Sequence, residues 1–206
     1  MPKKSAADSD APKKLASYTV KVTDEQLTKL GALLSAKGWE RFDVAYARFV
    51  PRAFLDLLGK SDVRDVRLGD GVEREMTVLF SDVRSFTAIS ESLSPNETFG
   101  FINGLLSRTG PVVREYGGIV DKYVGDAIMA LFPGAVDDAL RAAIALQDAV
   151  RAHNVERAAR GAPPIVIGVG LHRGSLMLGT IGEHERMDGT VIAGDWEPPA
   201  TVIVSL

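Results

Sequence analysis

The chain has no cysteine, which removes disulfides, zinc–thiolate sites and cysteine nucleophiles from consideration. It has no apolar run approaching the roughly 18–20 residues that cross a bilayer, and its N-terminus lacks the apolar core of a secretory signal. It also has no basic surplus: the formal net charge is -3, which gives no support for a nucleic-acid partner. A cytosolic, that is cytoplasmic, chain without a membrane segment is the expectation. What remains is an ordinary globular composition over 206 residues, 46% hydrophobic and 25% charged, enough for one domain and a short extension.

Residues 1–17 mix Lys, Ala, Ser, Asp and Pro with nothing to bury and read as a disordered lead. Residues 18–70 read as a helical lead-in. Thr23 and Gln26 form a capping box, Leu27, Leu30, Leu33 and Leu34 share a helical face, and Gly38 ends that helix. A second helical piece runs from about Val44 to Leu58, interrupted by Pro51, with Phe49, Phe54, Leu57 and Leu58 as its apolar side.

Residues 71–206 read as the main domain. Met76 to Phe80 is a short apolar run, expected as a buried strand ending in Ser81-Asp82-Val83-Arg84-Ser85-Phe86-Thr87. Ser94, Pro95 and Glu97 start a long helix as N-cap, first helical residue and capping carboxylate. Phe99, Ile102, Leu105 and Leu106 are expected on its core side, with a kink at Gly110-Pro111 and a stop at Gly117-Gly118. Ile119 to Phe132 reads as two strands around a tight turn at Gly125-Asp126. Asp137 to about Arg160 reads as an amphipathic helix with Leu140, Ile144, Leu146 and Val150 inward. Ile165–Leu171 and Leu176–Ile181 are expected as a hairpin through Arg173-Gly174, and Met187–Ile192 as a further strand. This order describes an α+β fold, a ferredoxin-like βαββαβ sandwich.

Chemistry gathers at two strand ends. Asp82 closes a buried strand before a turn into a helix, so the amides from Val83 to Thr87 can face an anion and its carboxylate can supply hard oxygen to Mg²⁺ or Mn²⁺. Asp126 lies in the hairpin turn, which in such a sandwich sits beside the end of the first strand. Two carboxylates there could hold two divalent ions. Taken one at a time, Asp82 also reads as a helix cap and Asp126 as a turn former.

The blocks LGDGVEREMTVLFSDVRSFTAISE, GGIVDKYVGDAIMALFP, IGVGLHRGSLMLGTIGE and RMDGTVI resemble the catalytic domain of class III adenylate/guanylate cyclases, in its bacterial adenylate cyclase subgroup. With FVPRAFLDLLG, the likeness runs from about Phe49 to Gly194. It implies the class III nucleotidyl cyclase form of the sandwich. It implies Asp82 and Asp126 as catalytic metal ligands for two Mg²⁺ or Mn²⁺, with the carbonyl of Val83 as a backbone ligand. Phe86 and Thr87 fall in the triphosphate-binding turn. Lys122 matches the base-selecting lysine and Thr190 its usual partner: a Lys can donate to adenine N1 and a Thr hydroxyl can accept from the N6 amine. Taken alone, Lys122 also reads as an exposed charge and Thr190 as a β-former. The implied reaction is attack of the ribose 3′-hydroxyl of ATP on the α-phosphorus, giving 3′,5′-cyclic AMP and pyrophosphate. The likeness also implies a head-to-tail homodimer, or a heterodimer with an intact cyclase domain, each active site drawing on both protomers.

The chain departs from the family after Ile192. The family continues with an Asn that orients the ribose and an Arg that stabilises the reacting phosphate. Aligned from Asp195 without gaps, Pro198 and Val202 stand at those places, and neither side chain can donate a hydrogen bond. Losing one preorganised donor costs on the order of 10²–10³ in rate. A truncated or degenerate C-terminal part is therefore expected, and with it the alternative of a catalytically impaired pseudo-cyclase that binds ATP and metal or dimerises as a regulatory module. A diguanylate cyclase or polymerase-like palm shares the two-metal logic, but the chain lacks a GG(D/E)EF turn.

Overall fold

Residues Gly71–Val83, with Met76, Thr77, Val78 and Leu79 buried at the centre, make β1, the middle strand of the sheet. The structure, a computed structural model, describes residues 50–193 and 202–204. The lead over 1–17, the helix expected from Thr23 to Gly38, Phe49 and Pro198 lie outside the described residues. Of the expected lead-in, a six-residue helix α1 (Arg52–Leu57) and a single 3₁₀ turn at Val63–Asp65 are described.

After β1 come a short helix α2 (Phe86–Glu91), a long helix α3 (Pro95–Glu115), the hairpin β2 (Ile119–Val124) and β3 (Ala127–Phe132), and the helix α4 (Val136–Ala159). β4 (Ile167–Gly182), β5 (Met187–Ala193) and the short β6 (Val202–Val204) follow. The strands form one antiparallel sheet in the order β2-β3-β1-β4-β5, with β6 also on β4. This is the expected α+β sandwich, extended by strand β5.

The expected hairpin at Arg173-Gly174 does not form. β4 runs straight through it for 16 residues, and every residue of β1 pairs with it, from Gly71↔Gly179 to Val83↔Ile167. Arg173 Nε donates to Glu75 Oε1 across the strands at 3.0 Å, and Gly174 lacks the positive φ that a tight turn demands. The interruption in the sequence is a change of covered face. Ile167, Val169 and Leu171 bury the odd-numbered face against α3 and α4, whereas Leu176 and Leu178 bury the even-numbered face with Phe54, Met76 and Val78. Arg-Gly-Ser lies where neither face is deep. The real turn comes at Glu183 to Arg186, where Glu183 N–H donates to Arg186 O at 2.9 Å, next to Gly182 at φ 131.

Helix α3 starts as expected, with Ser94 and Glu97 exchanging capping bonds and the Ser94 N–H donating to Glu97 Oε2 at 2.8 Å. It continues through Pro111 to Glu115. Gly110 is a docking point: a Cβ there would meet the Tyr123 hydroxyl at 2.8 Å. Phe99 is exposed, not inward; Phe101 instead stacks on Phe86 with centroids 6.1 Å apart.

In α4 the inward face is Ala139, Ala142, Ala143, Leu146, Gln147 and Val150. Leu140 and Ile144, expected inward, are exposed. Alanines let the helix approach the sheet closely, and Gln147 Nε2 ties it there by donating to Ile167 O at 3.1 Å. Larger side chains are pushed to the flank of that contact. Burying one Leu side chain is worth about 1.5–3 kcal/mol, so the interior gains more from Leu146 than from its two exposed neighbours.

Candidate active site

Neighbouring strands β1 and β3 pair down to Ser81↔Ile128. That register leaves Asp82 and Asp126 beyond the last pair, at one end of the sheet. The β2–β3 turn is made by Gly125 at φ 62, a conformation that costs glycine little. It aims Asp126 at β1, where Asp126 Oδ2 accepts the Val83 N–H at 2.8 Å. Asp82 is exposed and Asp126 half-buried. Asp82, Ser81, Arg84, Ala127 and Gly168 line a cleft of about 420 Å³.

The turn after Asp82 carries Ser85 in the left-handed region, φ 58 and ψ 30, and opens α2. No side chain caps this helix, so its leading amides are not bound by a capping group. Thr87 is exposed, whereas the Phe86 ring packs against the core. At Phe86, therefore, only the backbone is free to face a ligand.

Arg84 was not among the expected site residues. Its N–H donates to Val166 O at 2.8 Å, and its guanidinium lies over Gly168, where any Cβ would collide with it. It thereby brings positive charge into the cleft beside Asp82. The signal for it was the pairing Asp82↔Gly168, which strand composition alone does not give.

Lys122 and Thr190 are brought together elsewhere. Lys122 Nζ donates to Gly189 O at 3.2 Å and reaches Thr190 Oγ1 at 3.5 Å. β2 and β5 stand at the two outer positions of the strand order, so this contact requires the sheet to curl on itself. The curl closes over α1: a Cβ on Gly189 would meet the Phe54 ring at 2.7 Å. Lys122 also lies 3.5 Å from Asp121 Oδ2. No hydrogen bond links this pair to Asp82 or Asp126 among the described residues.

The donor set fits a divalent cation that keeps other ligands. Among the described residues no cluster of three or more His, Cys, Asp or Glu forms a closed metal cage. Mg²⁺ is commonly held by one or two carboxylates, with phosphate and water oxygens completing its shell. Asp82 and Asp126 provide two carboxylates, one of them already oriented by the Val83 amide.

Residues 71–189 match the family described as Adenylate and Guanylate cyclase catalytic domain, and the chain belongs to that family. It is 42% identical over 153 residues to the adenylate cyclase of Anabaena cylindrica, across 72% of this chain and 30% of that protein. The terminal-differentiation specific adenylate cyclase of Dictyostelium discoideum is 31% identical over 163 residues, 77% of this chain and 8% of that protein. The chain spans less than a third of the length of these curated relatives.

The fold is that of class III cyclases. The adenylyl cyclase CyaB from P. aeruginosa superposes with a TM-score of 0.56 at 32% identity, over 60% of this chain and 67% of that one. The guanylyl cyclase Cya2 superposes at 0.54 with 35% identity, over 60% and 66%. Likeness to both kinds leaves the choice of base to the residues. No helix among the described residues is long and apolar enough to cross a membrane.

Proposed function

We propose that this chain is the catalytic domain of an adenylate cyclase, converting ATP to 3′,5′-cyclic AMP and pyrophosphate for cyclic-nucleotide signalling in the cytoplasm. The observation that carries the reading is the Lys122–Thr190 pair. Lys122 presents a donor for adenine N1 and Thr190 an acceptor for the N6 amine, a pattern that guanine, with a donor at N1, would not satisfy. Their approach to 3.5 Å supports a single base-reading unit.

Asp82, Asp126 and the Val83 carbonyl would hold two Mg²⁺ or Mn²⁺. These ions, when bound, activate the ribose 3′-hydroxyl and neutralise charge on the phosphates. The chain's own part is positioning. The Val83 amide fixes the Asp126 carboxylate, the open amides of Phe86 and Thr87 receive phosphate oxygens, and Arg84 adds positive charge. The new bond joins O3′ to the α-phosphorus, and the bond to the pyrophosphate oxygen breaks. A head-to-tail homodimer, or a heterodimer with an intact cyclase domain, is part of the same reading. The exposed Phe80, Tyr123 and Val124 near the strand ends favour a second copy there.

A second reading rests on β6. Val202, which aligns with the family's phosphate-stabilising Arg, lies in a strand paired with Leu171. A strand at that place supports a catalytically impaired module that binds ATP and metal, or pairs with another cyclase, without turnover. The test is cyclic AMP formation by purified protein with Mn²⁺ and ATP, against Asp82→Ala as the blank. Product above that blank supports the enzyme. None above it, with calorimetric binding of a non-cyclisable ATP analogue retained, selects the binding module.

A further inference from the structure

Between Val120 and Lys122 the register of β2 against β3 slips: Val120 pairs with Ala130 and Lys122 with Met129. Asp121 is the extra residue. In a regular strand, neighbours point to opposite faces. A bulge breaks that alternation and re-aims a side chain. Here it sets the Asp121 carboxylate and the Lys122 ammonium side by side, 3.5 Å apart.

The two side chains differ sharply in exposure, 3% for Asp121 and 31% for Lys122. Asp121 Oδ2 makes no polar contact closer than its 3.5 Å ion pair with Lys122. A carboxylate placed this deep with an open acceptor is costly to a fold unless something uses it. Its only nearby cation among the described residues is Lys122, while Asp188 on β5 adds repulsion. Lys122 then reaches outward to Gly189 O and Thr190 Oγ1.

We infer that Asp121 is the positioning residue for Lys122: from behind the bulge its carboxylate holds the ammonium by charge, so that the ammonium's donors face the base-reading partner Thr190. The role rests on the adenylate cyclase reading for its meaning, but not for its geometry. Asp121 touches no substrate; it acts through Lys122.

A cost in stability accompanies that role. Burial, the largest influence, pushes the Asp121 carboxyl above the ordinary carboxylate range, with Lys122 opposing and Asp188 adding to it. Relative to the unfolded chain, folding therefore makes this carboxyl harder to ionise. Any stability this group lends is present at acid pH and is lost as pH rises through its raised value. At neutral pH, Asp121→Asn should keep or raise the melting temperature. A residue serving only the fold would show the reverse.

The experiment compares wild type with Asp121→Asn in three ways. In the protein without nucleotide, competitive acetylation by acetic anhydride at fixed pH is read by mass spectrometry, with Lys60 as internal reference because it pairs with Asp70 elsewhere. Lys122 should react several-fold faster in Asp121→Asn. Thermal melting should show no loss. Binding of non-cyclisable ATP and GTP analogues with Mn²⁺ should show the ATP preference falling by about 5–10-fold, the scale of one net hydrogen bond. An unchanged Lys122 labelling rate overturns the inference whatever the nucleotides do, and so does a drop in melting temperature with an unchanged ATP-to-GTP ratio. If wild type binds neither analogue, the cyclase reading fails and the labelling result alone decides whether Asp121 positions Lys122.

Discussion

Asp82 and Asp126 share one end of the sheet because two neighbouring strands end together, whereas Lys122 and Thr190 meet because the far ends of the sheet curl toward one another. The first pair depends on local register and one turn: Ser81↔Ile128, Gly125 at φ 62, and the Val83 amide on Asp126. The second depends on a bulge in β2, the path of β5 and the Phe54 ring beneath Gly189. The Asp82–Asp126 end is thus robust to changes elsewhere in the sheet. The Lys122–Thr190 end inherits every error in its curvature, so on the proposed function discrimination between bases should be lost before metal binding is.

The sharpest way to break the comparison is at the metal end itself. Asp126→Ala should lower Mn²⁺-dependent binding of a non-cyclisable ATP analogue by about 100-fold or more, on the scale of a lost charge-assisted contact plus an unsatisfied amide. Asp126→Asn, which can still accept from Val83, should lose the metal dependence yet melt like wild type. Calorimetry and thermal unfolding read the two effects apart.

At the other end, Lys122→Glu should reduce the ATP-to-GTP binding ratio by about 10-fold or more, since it replaces a charged donor with an acceptor. An unchanged ratio removes Lys122 from base selection.

Gly189→Ala probes the curl. A Cβ 2.7 Å from the Phe54 ring forces a shift in β5 and should cost about 1–3 kcal/mol of stability, as overpacking does. The ATP-to-GTP ratio should fall with it, while Mn²⁺ dependence persists. Equal loss of both would merge the two regions into one. The smallest effect belongs far from either: Leu140→Ser on the exposed flank of α4 should stay within about 0.5 kcal/mol in a urea titration.

The placement of Asp82 and Asp126 was legible because its determinants are local. FSDV closes an apolar run and YVGDA is a strand–turn–strand pattern, so each Asp announced its place at a sheet end. Lys122 and Thr190 were legible only through family resemblance, since nothing in the periodicity says that β2 and β5 meet. The Asp121–Lys122 contact had no such signal, because a bulge leaves no trace in a hydrophobic pattern.

The misread hairpin has the same origin. Periodicity reports which face is covered, and when the covered face changes along one strand, the pattern imitates a break. Leu140 and Ile144 went astray because hydrophobicity was read in place of fit, and an alanine face can approach a sheet where a leucine face cannot. Helix starts, by contrast, were local chemistry, as Ser94 and Glu97 show.

The unbroken length of β4 has a consequence of its own. Its 16 residues span roughly 50 Å at the usual rise per residue. Near one end Gly168 lies across from Asp82; toward the other, Gly179 pairs with Thr190. β4 is in effect a ruler graduated for two sites at once. A one-residue insertion would turn every later side chain to the opposite face. It would misplace the base-reading end relative to the metal end even if both kept all their residues. A length change confined to the Glu183–Arg186 turn would spare that graduation, unlike one within the strand that looks, by sequence, most like a place to cut.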